Sequence, residues 1–354
     1  MPPRRRKRLD PALFALDVEG LKAGRYTDAY FVRTREVLRA DRHAPAVVMQ
    51  VTGKRAGVVC GVDECVAILR LCADDFSALT VHALYEGDRF EAWDTVLTIE
   101  GTYDSFAILE TPLLGILSRR TGICTNTRRC VEAARSKPVI FFGARDDHFM
   151  MQPGDGFAAQ VGGMKDVSTD AQASWMGGRG VGTMPHALIA AYGGDTVKAA
   201  KRFAKHTPED VPVVALVDYA NDSVGTSLAV ARALGDRLGA VRLDTSEHLV
   251  DTSVVSQMGS FRPTGVNPSL VWNVRNALDG EGFGDVKIVV SGGFDAERIR
   301  AFEEEGVPVD AYGVGGAVYA GGFDFTADIV EVNGQPQSKA GRERRENPKL
   351  EKVR

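Results

Sequence analysis

From residue 138 onward the chain alternates short apolar runs with longer amphipathic ones. The apolar runs are 138–142 (PVIFF), 213–217 (VVALV), 240–243 (AVRL), 286–290 (VKIVV) and 309–312 (VDAY). Helical patterns lie between them at 196–206, 222–235, 269–278 and 295–305. A helix that crosses back over its strand brings the next strand in parallel. The alternation therefore predicts a parallel sheet, either a barrel or a doubly wound sheet. It runs past five units, and no GxGxxG fingerprint follows the first strand, which favours a barrel. Residues 143–185 break the repeat, so the barrel is expected to be irregular.

The first third reads differently. Residues 46–60 (AVVMQVTGKRAGVVC) suggest two strands around a glycine turn, and 79–84 and 95–100 are β-like again. Apolar spacing at Cys65, Ile68, Leu69 and Cys72 predicts a helix from Glu64 to Cys72, and a short helix is expected through Val37. Residues 105–118 (SFAILETPLLGILS) are too apolar for a surface helix and should be buried. The expected fold class is α/β, an irregular TIM-like β/α barrel plus a small N-terminal α+β domain. The expected division is a basic disordered tail at 1–8, the α+β domain at 9–115, the barrel at 116–330, and a return segment with a basic tail at 331–354.

Charge is unevenly placed along the 354 residues. The net charge is −4, yet residues 1–8 carry +5 and residues 338–354 carry +4, which leaves −13 for residues 9–337. So acidic a body argues against a nucleic-acid-binding domain; anionic substrates would need local Arg, backbone N–H groups or metal. The basic ends read as solvated tails, with contact to RNA or acidic lipid as the alternative. Five cysteines with no CxxC argue against a disulfide framework or structural zinc, and for a reducing cytosol. No apolar run reaches the ~18 residues of a transmembrane helix. Asp10, Asp17 and Glu19 interrupt the stretch after Arg4–Arg8, unlike a signal peptide. A cytoplasmic protein without membrane contact is expected.

Four sets of residues carry candidate chemistry. Ser291-Gly292-Gly293 and Gly313-Val314-Gly315-Gly316 each end a strand before a helix, one β/α unit apart. Glycines there let backbone N–H groups close on phosphate; the alternative is a pair of tight turns. Asp218 and Asp244 sit at strand ends, where carboxylates suit ribose hydroxyls, magnesium or a developing cation. Arg242, two residues before Asp244, shares its face of the strand; the pair either binds something or is a structural ion pair. In Gly180-Val181-Gly182-Thr183-Met184-Pro185-His186, a turn with Pro185 at an early helical position puts His186 on the first turn of a helix over 186–192. That imidazole is a base, a ligand, a phosphorylated nucleophile or merely structural. Phe142 and Arg145, at the strand end FGARDDH, suit a flat anionic ring through stacking and a charge-assisted bond, or form an exposed turn.

Taken in order, GVGTMPHALIAAYGGDTVKA, VALVDYANDS, AVRLDT, KIVVSGGFD and DAYGVGGA, with YTDAY and ETPLLGILSRRTGICTNTRR upstream, resemble the nicotinate phosphoribosyltransferase family of the type II phosphoribosyltransferase fold. The likeness covers about residues 20–340 and is nearest to the compact bacterial and archaeal members. It implies a homodimer or dimer-based oligomer whose sites are completed across subunits. Its substrates would be nicotinate, phosphoribosyl diphosphate and ATP, with Mg2+. By the resemblance His186 is the histidine that ATP phosphorylates. Tyr30 from the partner subunit and Phe142 sandwich the pyridine ring. Thr183, Arg145 and Arg242 bind substrate, the two arginines meeting the nicotinate carboxylate and phosphoribosyl diphosphate. Asp218 and Asp244 hold ribose, diphosphate or magnesium. Ser291, Gly292, Gly293, Gly313, Gly315 and Gly316 seat the 5′-phosphate. Lys165 stands where many relatives have an acid or small polar residue, and Phe149 where they usually have Pro. Two alternatives stay open: a quinolinate phosphoribosyltransferase, for which His148, Lys165, Arg179 and Arg119–Arg120 would supply cations, and a nonenzymatic phosphosugar or nucleotide binder.

Overall fold

A computed structural model describes residues 7–209, 211, 213–259 and 261–353. Residues 1–6 of the expected tail lie outside them. The chain forms two compact units, Met1–Arg128 with Phe157–Gly162 and Tyr319–Arg354, and Arg129–Gly156 with Gly163–Val318. It does not divide at a single point near residue 115. Helix Glu110–Ala133 runs through that position, and the C-terminal segment rejoins the first unit. Among the described residues no helix is long and apolar enough to cross a membrane.

The first unit is built on a six-stranded sheet. Its order is Gln335–Pro336, Phe325–Val332, Ala46–Gly53, Thr95–Thr102, Thr80–Ala83, Glu351–Lys352. All its pairings are antiparallel. Strand Ala46–Gly53 alternates Val47, Met49 and Val51 into the core, where they meet Leu97 and Ile99. Helix Val62–Cys72 adds Cys65, Ile68 and Leu69, and the buried connection adds Phe106, Leu109, Leu113 and Leu117. Each large apolar side chain fully withdrawn from water contributes about 2 kcal/mol. All five cysteines are free and buried.

Among the described residues, the basic ends are not simply solvated. Arg8 pairs with Asp63 at 2.7 Å and donates to the carbonyls of Ala83 and Leu84. Near the other end Arg344 pairs with Glu331 and Arg342 with Asp328, and Glu351–Lys352 adds an edge strand. The basic residues here answer acids of the first unit. Strand 325–332, assigned from sequence largely to the barrel, instead lies beside Ala46–Gly53.

The second unit is the parallel sheet. Its strand order is Asp166–Val167, Val139–Phe141, Ala311–Val314, Lys287–Val290, Leu238–Leu243, Val213–Leu216. Neighbours pair in parallel throughout. The sheet is a curled half-barrel of six strands, irregular as expected. The segment between Val181 and Met184 bridges its two edges. Val181 N–H donates to the Val167 carbonyl at 2.7 Å, and Met184 N–H to the Val214 carbonyl at 3.4 Å. Small residues Ala240, Val289 and Ala311 pack with Val214 on one face. Alternate residues of a strand share a face, so Arg242 lies on the same face as Ala240, nearer the strand's C-terminal end.

Candidate active site

Parallel pairing brings the C-terminal ends of the strands to one edge, where open α/β sheets bind ligands. Phe142, Asp218, Asp244, Ser291 and Gly315 all follow the last residue of a strand within two positions. Thr183 lies on the bridging segment, and His186 begins the helix after it.

Arg242 is the hub. Its Nε donates to Ser291 Oγ at 2.8 Å, Nη1 to Thr183 Oγ1 at 3.0 Å and Nη2 to Asp244 Oδ2 at 3.1 Å. Ser291 Oγ–H in turn donates to Asp244 Oδ1 at 2.6 Å. The guanidinium carbon stands 4.7 Å from the centroid of the Phe142 ring. Register explains the convergence: Val290 pairs with Leu243, so the next residues, Ser291 and Asp244, emerge side by side. A guanidinium has five N–H donors, and these bonds use three, which leaves two for an anion.

His186 forms a second pair. Its Nε2 is 3.0 Å from both oxygens of Asp218. Pro185 is the N-cap rather than the first helical residue, and His186 opens the helix His186–Ala191. The Asp218 bond raises the imidazole's pKa above its usual value, against the opposing effect of burial; the Asp218 and Asp244 charges also raise it, and Arg242 lowers it. The His186 side chain keeps 41% exposure while Asp218 keeps 9%, so the ring can meet a ligand while its carboxylate stays enclosed. With hydrogen held on Nε2 toward Asp218, Nδ1 is the lone-pair nitrogen of the neutral ring.

The glycine sets divide. Gly292 and Gly293 have φ of +86° and +74°, a left-handed succession that glycine adopts without steric cost. Gly313 is a correction. It lies inside strand Ala311–Val314, where a Cβ would stand 2.3 Å from the Phe142 ring. Its missing side chain makes room for the aromatic ring. At Gly315 a Cβ would stand 3.0 Å from Asp146 Oδ2. At Gly292 a Cβ would likewise stand 3.4 Å from Asp244 Oδ1, so it is the positive-φ pair, not distance from a carboxylate, that marks Gly292–Gly293 as the phosphate seat.

Arg145 does not join this network, and Tyr30 was expected from a partner subunit. Arg145 is exposed in the turn Gly143–Arg145, and Tyr30 is 58% exposed on helix Ala29–Ala40 of the first unit. Sequence reasoning gave no role to Asp146 or Arg298. Arg298 carries a legible signal: a cation in the first turn of helix Ala296–Glu304, where the helix dipole disfavours it. The expected magnesium ligands, Asp218 and Asp244, each have a basic partner. Among the described residues no group of three or more His, Cys, Asp or Glu side chains could hold a metal. The donor set does not fit a protein-built magnesium cage.

Comparison with known proteins decides the family. Residues 28–121 match the N-terminal domain of quinolinate phosphoribosyl transferase, and residues 123–325 match its C-terminal domain. The chain belongs to the quinolinate phosphoribosyl transferase family. It is 40% identical to a nicotinate-nucleotide pyrophosphorylase from Pyrococcus furiosus, with a TM-score of 0.80 over 92% of this chain and 80% of that one. It is 31% identical to a nicotinate phosphoribosyltransferase of Mycobacterium tuberculosis over 81% of this chain and 66% of that protein. A nicotinate phosphoribosyltransferase of Bacillus subtilis is 26% identical, over 66% of this chain and 44% of that protein. The chain thus spans two thirds or less of the length of these two curated relatives. Its family membership and architecture place it in the type II phosphoribosyltransferase fold.

Proposed function

We propose that this protein transfers phosphoribosyl from phosphoribosyl diphosphate to the ring nitrogen of nicotinate. The products are nicotinate mononucleotide and diphosphate, and ATP hydrolysis is coupled through a phosphorylated His186. The observation that carries this reading is the His186–Asp218 pair in the same unit as the Arg242–Asp244–Ser291 network, at the strand ends. The names of the two curated relatives support it.

The residues have separable tasks. Arg242 offers its spare N–H donors to the diphosphate or to the nicotinate carboxylate, and Phe142 offers a ring face. As diphosphate leaves, the anomeric carbon gains oxocarbenium character, which the Asp218 and Asp244 carboxylates stabilise. The pyridine nitrogen, held on the opposite side of the sugar, then attacks, and positioning supplies much of the rate. Magnesium bound to the diphosphate, as part of the substrate, would offset part of its negative charge. Nδ1 of His186 attacks the γ-phosphorus of ATP and ADP leaves, while Asp218 holds the Nε2–H; water later cleaves the N–P bond and releases phosphate. The homodimer, with Tyr30 supplied across subunits, belongs to the same proposal. Helix Ala29–Ala40 buries none of its residues within its own chain.

Transfer to quinolinate is the second reading, favoured by the family's own description. Its second carboxylate needs further cations. Of the candidates, Arg120 is buried against Glu64 at 3.1 Å, and Arg119 lies over the Tyr319 ring, both in the first unit. His148 instead accepts the Met150 N–H and caps a turn. These commitments favour nicotinate, while Lys165 and Arg179, both exposed in the second unit, are the cations that quinolinate could still use. The test is incubation of purified protein with phosphoribosyl diphosphate, Mg2+ and either acid, with and without ATP. Nicotinate mononucleotide from nicotinate, stimulated by ATP, is the expected result. Nucleotide from quinolinate alone, with release of carbon dioxide, assigns the second reading. Product from neither acid rejects both and leaves a nonenzymatic binder.

A further inference from the structure

The turn Gly292-Gly293 ends strand Lys287–Val290 and leads through Phe294 to Asp295, the N-cap of helix Ala296–Glu304. One turn into that helix, Arg298 folds back onto the glycines. Its Nη1 donates to the Gly292 carbonyl at 2.7 Å and to the Gly293 carbonyl at 3.2 Å, and Nη2 donates to the Val266 carbonyl. The guanidinium carbon is 4.2 Å from the Phe294 ring centroid and 5.9 Å from that of Phe302. Phe294 is itself buried against Phe302 and Tyr312.

The consequence follows from peptide planarity. In a trans peptide the C=O and N–H point in opposite directions. The peptide joining Gly292 to Gly293 directs its oxygen at Arg298, so the Gly293 N–H points away. The next peptide does the same with the Phe294 N–H. Neither N–H has an acceptor among the described residues. Two successive outward N–H groups just before a helix N-terminus form a concave anion seat. Gly292 and Gly293 are exposed while Phe294 is buried, so the seat opens to a ligand on its glycine side.

We propose that Arg298 is a positioning residue for phosphate. It gathers the turn's carbonyl oxygens behind the loop, so that the amides of Gly293 and Phe294 converge on a phosphomonoester that Arg298 itself does not touch. This rests on the reading that the strand ends take a phosphoribosyl group, and it names the part that reads the 5′-phosphate. A lysine at 298 keeps the charge but loses the planar fork that spans three carbonyls.

Calorimetry on the full chain tests this by comparing nicotinate mononucleotide with the corresponding nucleoside, which lacks the phosphate. The wild type should prefer the nucleotide strongly. R298K should cut the ratio of the two affinities about tenfold, equivalent to 1.4 kcal/mol, with nucleoside affinity little changed. R298M should cut it further. A merely structural role would weaken both ligands in parallel and leave the ratio alone. Thermal melts show whether each variant is folded, and R298K carries the test if R298M is not. An unchanged ratio in folded R298K overturns the clamp and leaves the phosphoribosyl reading standing. A wild type that binds neither ligand overturns that reading and the clamp with it.

Discussion

Nε2 of His186 sits 3.0 Å from both oxygens of the Asp218 carboxylate. The bond favours the charged ring, so its pKa lies above the ordinary histidine value. The sign follows. The pair's contribution to stability is full below the unfolded pKa and is lost as pH rises through the folded one. Phosphoryl acceptance needs the neutral ring, so labelling by γ-phosphate-labelled ATP should rise with pH through that raised pKa. H186A should abolish acid-labile label, and D218N should move the midpoint of the surviving reactivity to lower pH. Diethylpyrocarbonate modification of His186 against pH measures that midpoint directly. An unmoved midpoint in D218N would show that the carboxylate does not hold the proton.

Arg242 ties three elements together, and its replacement should reveal this. R242M removes the donors to Ser291, Thr183 and Asp244 at once and leaves Asp244 without its cation. A drop of about 10²–10³ in kcat/KM for phosphoribosyl diphosphate is expected, the usual scale for a lost charge-stabilising donor. S291A removes the hydroxyl that links Arg242 Nε to Asp244 but leaves the Arg242–Asp244 ion pair, and a loss of roughly threefold to tenfold should follow. Steady-state kinetics on both variants decide the order. Equal losses would mean that Ser291 has a role of its own.

The strand–helix alternation from 138 onward made the parallel sheet legible, because period and length are local properties. Helix Thr196–His206 has the expected bounds. The Arg242–Asp244 pair was legible for the same reason, since two residues on one strand share a face. Strand Phe325–Val332 was not. Its partner Ala46–Gly53 lies some 280 residues away in sequence, and antiparallel pairing at that distance leaves no local trace. Gly313 looked like part of a phosphate loop because a glycine run reads alike whether its missing side chains admit an anion or an aromatic ring. The place of Arg298 in a helix's first turn is legible, but its partners are carbonyl oxygens, which every sequence has and none displays.

Gly313 should tolerate no side chain while Phe142 keeps its ring. A Cβ there would stand 2.3 Å from Phe142 Cε2, with Ser291 Cβ at 3.2 Å on another side. G313A should cost about 1–3 kcal/mol, the range for an overpacked core, and should also displace the ring from Arg242. F142L in the same chain should recover part of the lost stability without recovering activity. Denaturant melts of the two single variants and the double variant give the coupling. Strictly additive values would mean that the ring moves aside at no cost.

Glu86 should contribute to the pH dependence of the first unit. Its carboxylate accepts the N–H groups of Gly61 at 2.9 Å and Asp63 at 2.8 Å. Burial, and then the neighbouring Asp63 charge, push its pKa up to about 7 from the usual 4.5. The folded chain therefore binds a proton between these values that the unfolded chain has released. Stability should fall as pH rises from about 4.5 to about 7 and level off above, a loss of about 1–2 kcal/mol after allowance for residual solvent. E86Q cannot titrate, so this part of the slope should vanish even though the amide accepts less well from the two N–H groups. Urea melts at intervals across the window compare the slopes. An E86Q slope equal to the wild type's would place the titration elsewhere, with Glu110, also raised to about 7, as the next residue to replace.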